Sequence, residues 1–237
     1  MWPLPMRCLL CWAWGRQALC ATCLRLHVSG ADQGARPRCP GCGLRLAVGV
    51  PRCAACEREP AAHGAVRVAV DYAHPWDRVV MQLKFGGRPE WGAGLALLMA
   101  RTLEAARCER LPTRVVPVPL SRERLATRGY NQAWELARPL ARRLGLSARA
   151  DVLTRPVDLP GQAEQDRAAR LKRLRGVFQV SRGGRTWLAG QRVALVDDVL
   201  TTGATAAEAA RTLMAAGAAE VEVWAFAKTP APEDQAS

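Results

Sequence analysis

Lysine is almost missing from this chain of 237 residues, where 31 of the 34 cationic side chains are arginine. Histidine is as scarce, with copies only at His27, His63 and His74. No histidine follows to activate Cys108 as a nucleophile, so that residue reads as a small core or helix-end side chain. Acidic residues are also in deficit, 21 against 34, which leaves a formal charge of +13 and a pI of about 10.2. Such a balance favours anionic partners: phosphates, nucleotides or nucleic acid. Codon bias in a GC-rich genome would write the same arginine excess beside so much alanine, glycine and proline, so charge alone carries modest weight. Long apolar runs are missing too. "CLLCWAW", residues 8–14, falls far short of the ~20 residues of a membrane-spanning helix and is interrupted by cysteine. Neither a signal peptide nor membrane insertion is expected. The expected location is the cytoplasm, where thiols stay reduced and a cysteine-rich segment points to metal and not to disulfides.

Cysteine is what the first quarter has in excess. Eight of the nine lie in four identical C-x-x-C pairs: Cys8/Cys11, Cys20/Cys23, Cys39/Cys42 and Cys53/Cys56. The spacing lets two thiolates of one knuckle face one ion, and two knuckles complete a tetrahedral S4 site. Pairing in sequence order gives two structural zinc sites, Cys8, Cys11, Cys20 and Cys23, then Cys39, Cys42, Cys53 and Cys56. A cross-braced pairing satisfies the same spacing, and iron–sulfur clusters or disulfides are the competing chemistries. Four thiolates per ion leave no open position, so the metal is structural. His27 reads as a surface residue after the second knuckle. Residues 57–64, "EREPAAHG", read as a linker. The length accommodates this small module, residues 1–60, and one larger domain, residues 65–230, with a tail over 231–237.

Beyond the linker the pattern alternates between strands and helices. Strands are expected at 66–72, 113–119, 192–196 and 220–226, and helices at 90–106, 131–145 and 204–217, the second broken or kinked near Pro139. This order predicts an α/β fold with an open parallel sheet and flanking helices, and such sheets bind ligands at the carboxyl ends of their strands.

One such end carries distinctive chemistry. In "VALVDDVLTTGAT", residues 193–205, an apolar strand is expected to end at Val196, ahead of Asp197 and Asp198 and a turn with Thr201, Thr202, Gly203, Ala204 and Thr205. Amides at the start of the next helix, those of the glycine turn and the threonine hydroxyls form a nest for a phosphate. The two acids would repel a phosphate but can accept hydrogen bonds from sugar hydroxyls, so the whole reads as a ribose 5-phosphate cradle. It is neither a G-K-[ST] phosphate loop nor a G-x-G-x-x-G dinucleotide turn.

This stretch resembles the ligand motif of type I phosphoribosyltransferases, which hold phosphoribosyl pyrophosphate with magnesium. With "VVPVPLSRERLATRGYNQA" (115–133), Gln162 and Arg170 ahead of "GVF" (176–178), "MQLKFGG" (81–87) and the cysteine module, nearly the whole chain resembles the ComF family of competence-associated proteins, which are phosphoribosyltransferase-like with a double zinc ribbon in front. The resemblance implies that Asp197 and Asp198 are catalytic and that residues 201–205 hold the phosphoribosyl group. It places the pyrophosphate loop at the Pro117–Ser121 turn, including Pro119, with Arg122, Arg124 and Arg128. Arg128, Gly129, Tyr130, Asn131 and Gln132 form its most distinctive patch, and Asn131 also suits a helix N-cap. Gln162, Arg167, Arg170, Lys172 and Arg173 fall in the segment resembling a flexible loop, where Arg173 replaces the usual asparagine. Thr201 stands where purine-salvage enzymes of the superfamily carry an aspartate, and a threonine cannot act as that general base, so purine salvage by that route is disfavoured. The implied partners are phosphoribosyl pyrophosphate or a related phosphate ligand, single-stranded DNA, and proteins of competence and DNA uptake. Three functions fit: a phosphoribosyltransferase, a single-stranded DNA-binding competence factor using basic charge and tryptophans, or a ligand sensor without turnover. Trp134 and Trp224 read as core residues rather than base-stacking ones.

Overall fold

The computed structural model describes residues 6–27, 36–105, 111–156 and 176–231. Trp2, Cys108, Gln162, Arg167, Arg170, Lys172, Arg173 and the tail from residue 232 lie outside the described residues.

The cysteine segments come first. Strands β1 (Met6–Arg7) and β2 (Trp14–Gly15) pair antiparallel and helix α1 (Ala21–His27) follows, while helix α2 (Ala54–Arg58) belongs to the second segment. Glu57 and Arg58, read from sequence as linker, are therefore helical. Strand β3 (Val66–Asp71), helix α3 (Trp76–Phe85), helix α4 (Trp91–Ala105), strand β4 (Arg114–Pro117), helix α5 (Arg122–Arg128) and helix α6 (Gln132–Leu144) come next. After the two-residue strands β5 (Ser147–Ala148), β6 (Leu153–Thr154) and β7 (Gln179–Val180), the chain forms helix α7 (Arg182–Leu188), strand β8 (Arg192–Leu200), helix α8 (Ala204–Ala215) and strand β9 (Glu220–Lys228).

Five of these strands make one sheet in the order β3-β9-β8-β4-β5, every pair parallel, as the alternation predicts. Central β8 is apolar on both sides because both are covered. Ala194 and Val196 pack with helices α3, α4 and α6, and Val193 and Leu195 with α7 and α8. The same alternation sends Trp224 and Phe226 one way and Val221, Val223 and Ala225 the other.

Two expectations need correction. Strand β8 does not end at Val196 but runs to Leu200, with Asp197 paired to Ala225 and Leu200 to Lys228, so the two acids lie inside the strand. Helix α6 continues through Pro139, because its buried face of Ala133, Leu136, Ala137, Leu140 and Ala141 outweighs the one backbone donor that proline removes. Its start is as expected, the Asn131 side chain accepting from the Ala133 amide at 3.0 Å.

The cysteine segments pack differently. Cys8, Leu19 and Cys23 join the core beneath helix α4, and Trp12 meets Trp91 edge-on at 6.2 Å. The second segment has its own small core, Cys39, Leu46 and Cys56, and lies along the free edge of β3. There Val66 donates its amide to the Pro40 carbonyl at 2.7 Å, and Arg38 and Arg45 reach Asp71 at 2.7 and 2.5 Å. An edge that would otherwise expose unpaired backbone is thereby covered. No helix among the described residues is long and apolar enough to cross a membrane.

Candidate functional site

Two acids inside a central strand need cationic or hydrogen-bonding partners, since desolvation disfavours their charge. Asp197 and Asp198 are 8% and 3% exposed. Burial pushes the Asp197 carboxyl well above the ordinary carboxylate range, the charge of Asp198 adds to that, and Lys84 opposes it. Lys84 comes from the last turn of α3, its Nζ 2.8 Å from Asp198 Oδ2. From the other side Gln132 Nε2 donates to Asp198 Oδ1 at 3.5 Å, and Arg128 donates to Gln132 Oε1. The Tyr130 hydroxyl donates to the Leu83 carbonyl at 2.5 Å, fixing the 128–132 patch onto the end of α3. Asn131 Nδ2 donates to the Val118 carbonyl at 3.1 Å, so this residue serves the scaffold twice.

The structure thus gathers Asp197, Asp198, Arg128 and Gln132 from the expected set. Pro119 is buried beside this scaffold, whereas Arg124 is exposed on α5. Lys84 is the participant to which the sequence reading gives no site role, although its segment is among those that carry the family resemblance. Its signal was present: one of three lysines in a chain that otherwise uses arginine, within "MQLKFGG".

The turn follows at the end of β8. Gly203 has φ +79°, a left-handed conformation that glycine adopts without strain, and it caps helix α8 with no side chain in place. Ala204 donates its amide to Thr202 Oγ1 at 3.4 Å. Buried Lys228 donates from Nζ to the Thr201 carbonyl at 2.6 Å and to that of Thr229 at 3.0 Å, placing a cation beneath the turn. Thr202 and Thr205 are half-buried and Thr201 is exposed. Amide donors at a helix start, hydroxyls and a nearby lysine together favour an anion, and the acids one turn upstream favour hydroxyl donors.

Each cysteine tetrad brings its four sulfurs within 4.8 Å of one another, grouped in sequence order. Cys11 and Cys20 sulfurs lie 3.6 Å apart, and Cys53 lies 3.7 Å from both Cys39 and Cys42. A tetrahedral ion with metal–sulfur bonds of ~2.3 Å sets its sulfurs about 3.8 Å apart, so both sets fit zinc. Amides of Cys20 and Cys53 point at Cys8 and Cys39 sulfurs. Burial raises these two thiols, but such backbone donors outweigh it and bring Cys8 down to about 6 and Cys39 to about 7. Cys23 and Cys56 are driven upward by burial and by their neighbouring thiols. Four thiolates this close call for a divalent cation.

No family model matches the chain. Among curated proteins it is 35% identical to DNA utilization protein YhgH of Salmonella typhimurium, over 93% of this chain and 97% of that protein. It is 33% identical to the protein of that name from Escherichia coli over the same shares. Competence protein F of Haemophilus influenzae is 29% identical over 81% of this chain and 85% of its own length. Solved structures similar to it include a glutamine phosphoribosylpyrophosphate amidotransferase from B. subtilis (17% identity, TM-score 0.40, 61% of this chain and 30% of that one). Another is an adenine phosphoribosyltransferase from Thermoanaerobacter pseudethanolicus (21% identity, TM-score 0.35, 55% and 77%). Sequence similarity that covers nearly the whole chain and nearly the whole length of these relatives means that this chain belongs to the ComF family of competence-associated proteins.

Proposed function

We propose that the chain binds magnesium phosphoribosyl pyrophosphate, or a related ribose 5-phosphate ligand, at the turn between β8 and α8. The observation that carries this reading is the adjacency of the buried Asp197, Asp198 and Lys84 cluster to the glycine-capped start of α8. Thr201, Thr202, Gly203, Ala204 and Thr205 would receive the 5-phosphate through amides and hydroxyls, and the two aspartates would accept from ribose hydroxyls. Magnesium arriving with the ligand supplies positive charge opposite a pyrophosphate. Residues 1–60 act as a double zinc ribbon and 65–230 as the ligand-binding domain of a cytoplasmic protein serving DNA uptake or utilisation, a role supported by the relatives' names.

Calorimetric titration of the zinc-loaded protein with magnesium phosphoribosyl pyrophosphate tests the reading. Wild type should bind at millimolar concentrations or below, and the Asp197→Asn, Asp198→Asn double variant should lose roughly tenfold or more. A folded wild type that ignores the compound would sink it. Pyrophosphate release on addition of candidate acceptor bases separates a transferase from a sensor.

A second reading, single-stranded DNA binding, is favoured by Trp12 and Trp14, 49% and 67% exposed, with the Arg7 guanidinium 4.9 Å from the Trp14 ring centroid. Affinity for an oligonucleotide should then fall steeply with salt, and salt-independent or absent binding counts against it.

A further inference from the structure

Helix α8 joins the core through Ala206, Ala209, Ala210 and Leu213, which leaves a second face of the helix for other contacts. On that face Glu208, Arg211, Thr212, Ala215 and Ala216 recur at helical spacing, and they line a surface pocket of about 540 Å3. Phe178 and Val180, two residues apart along the chain through β7, and Arg185 of α7 complete the lining that matters chemically. The volume is that of a small-molecule site and far exceeds the packing defects of a close-packed interior. Its walls are held in place. Glu208 is only 2% exposed, its Oε1 accepts the Gly176 amide at 2.7 Å, and its Oε2 is paired with Arg211. The Thr154 hydroxyl donates to the Gln179 carbonyl at 3.2 Å, and Ser181 caps α7 by accepting the Gly184 amide at 3.1 Å.

Charge decides what such a pocket takes. Glu208 neutralises Arg211, which leaves Arg185 as the excess cation, and among the described residues no ion pair or hydrogen bond engages its guanidinium. We propose that this pocket is a second ligand site, separate from the β8–α8 turn, and that it takes a small organic carboxylate. The apolar body would lie against Phe178, Val180 and Ala216, and the single carboxylate would pair with Arg185. A cation would find only a carboxylate already neutralised, and a doubly charged anion would bring one charge too many beside Glu208. The inference does not depend on the proposed function. The two sites share one helix, however, since α8 starts at the β8–α8 turn and lines the pocket from Glu208 onward.

The test titrates 2-naphthoate and its neutral counterpart 2-naphthamide into the zinc-loaded full chain by calorimetry. Wild type should bind the naphthoate at millimolar concentrations or below, and the amide roughly fivefold more weakly, as a partly exposed guanidinium–carboxylate pair contributes. Arg185→Ala should bring that ratio close to one. Ala215→Trp, which places a large ring in the pocket from the last residue of α8, should weaken both probes by roughly tenfold or more. Both positions are exposed, so both variants should fold as wild type does, which thermal melts verify. Saturating magnesium ribose 5-phosphate should leave naphthoate affinity within about twofold of its value alone. Absence of naphthoate binding to folded wild type overturns the site, as does binding that survives Ala215→Trp unchanged. A charge preference that persists in Arg185→Ala overturns the assignment of the carboxylate, and competitive displacement by ribose 5-phosphate overturns the separation from the β8–α8 turn.

Discussion

Asp197 and Asp198 occupy adjacent positions in a strand whose surroundings exclude water, with Lys84 as the charge that holds them. Placing ionisable groups this way costs stability, and strongly perturbed carboxyls tend to mark functional sites. The sign of the pH dependence follows from the raised value of Asp197. In the unfolded chain that carboxyl ionises near 3.8, while in the folded protein it holds its proton to higher pH. The folded state therefore binds more protons above that point, and its stability falls as pH rises toward the folded value. The amide introduced by Asp197→Asn cannot titrate, yet its oxygen can still accept the bond from the Asp198 backbone N–H that spans 2.9 Å in the native protein. Asp197→Asn should melt with wild type near pH 4 and above it at pH 8. Each kcal/mol of relief is worth ~2–4 °C in a chain of this size. Thermal melts across that range check this, and a gap that is absent at pH 8 or widens toward acid contradicts it. The stabilised variant should also be the weaker binder, the usual exchange between stability and a strained site.

Among the elements, helices α4 and α6 cross where Gly92 meets the backbone of Glu135. A Cβ at Gly92 would sit 2.5 Å from the Glu135 carbonyl oxygen, which backbone cannot yield. Alanine is the better helix former by about 1 kcal/mol, yet Gly92→Ala should destabilise by about 1–3 kcal/mol through overpacking. Denaturant unfolding measures the sign directly, and a stabilised variant would mean that the helices can separate. What the sequence disclosed about these elements follows from how local each signal is. The apolar runs of β8 and β9, the periodic faces of α4, α6 and α8 and the order of the cysteine pairs depend on neighbours a few residues apart, and all were legible. The extension of β8 through its acids was hidden because it depends on Lys84 and Gln132, which arrive from distant helices. Pro139 misled for a related reason: the packed face that carries the helix past it is a tertiary property. Helix α3 was passed over although Trp76, Val79, Val80 and Leu83 recur at helical spacing, a signal the sequence does contain. Strands β5, β6 and β7 span two residues each, too few for any periodicity to register.

Across the whole molecule the two tetrads stand in different relation to the candidate site. The first packs beneath α4 and reaches the sheet only through the helical core. The second sits at the edge strand, where Gly41, Cys42 and His63 line a narrow crevice shared with Thr202, Gly203 and Ala204. Arg38 and Arg45 anchor its loop to Asp71, at the same carboxyl edge of the sheet. A metal that orders the 39–56 loop would therefore set one wall of the β8–α8 turn, whereas metal in the 8–23 tetrad would set the packing of a helix face. Substituting one ligand of each tetrad separates the two effects. Cys42→Ser should lower zinc content from about two ions per chain to one and weaken ribose 5-phosphate binding about fivefold or more, the scale of a coupling between sites. Cys11→Ser should lose the other ion and lower the melting temperature, while affinity measured well below the melt stays within about twofold of wild type. Zinc released by a thiol reagent and counted with a chromogenic chelator, beside calorimetry on the same samples, reads both quantities. Equal losses of affinity in the two variants would show that the metals support the fold as a whole. A loss confined to Cys42→Ser would make the second tetrad part of the ligand site's architecture, and metal occupancy a determinant of how well the turn is formed.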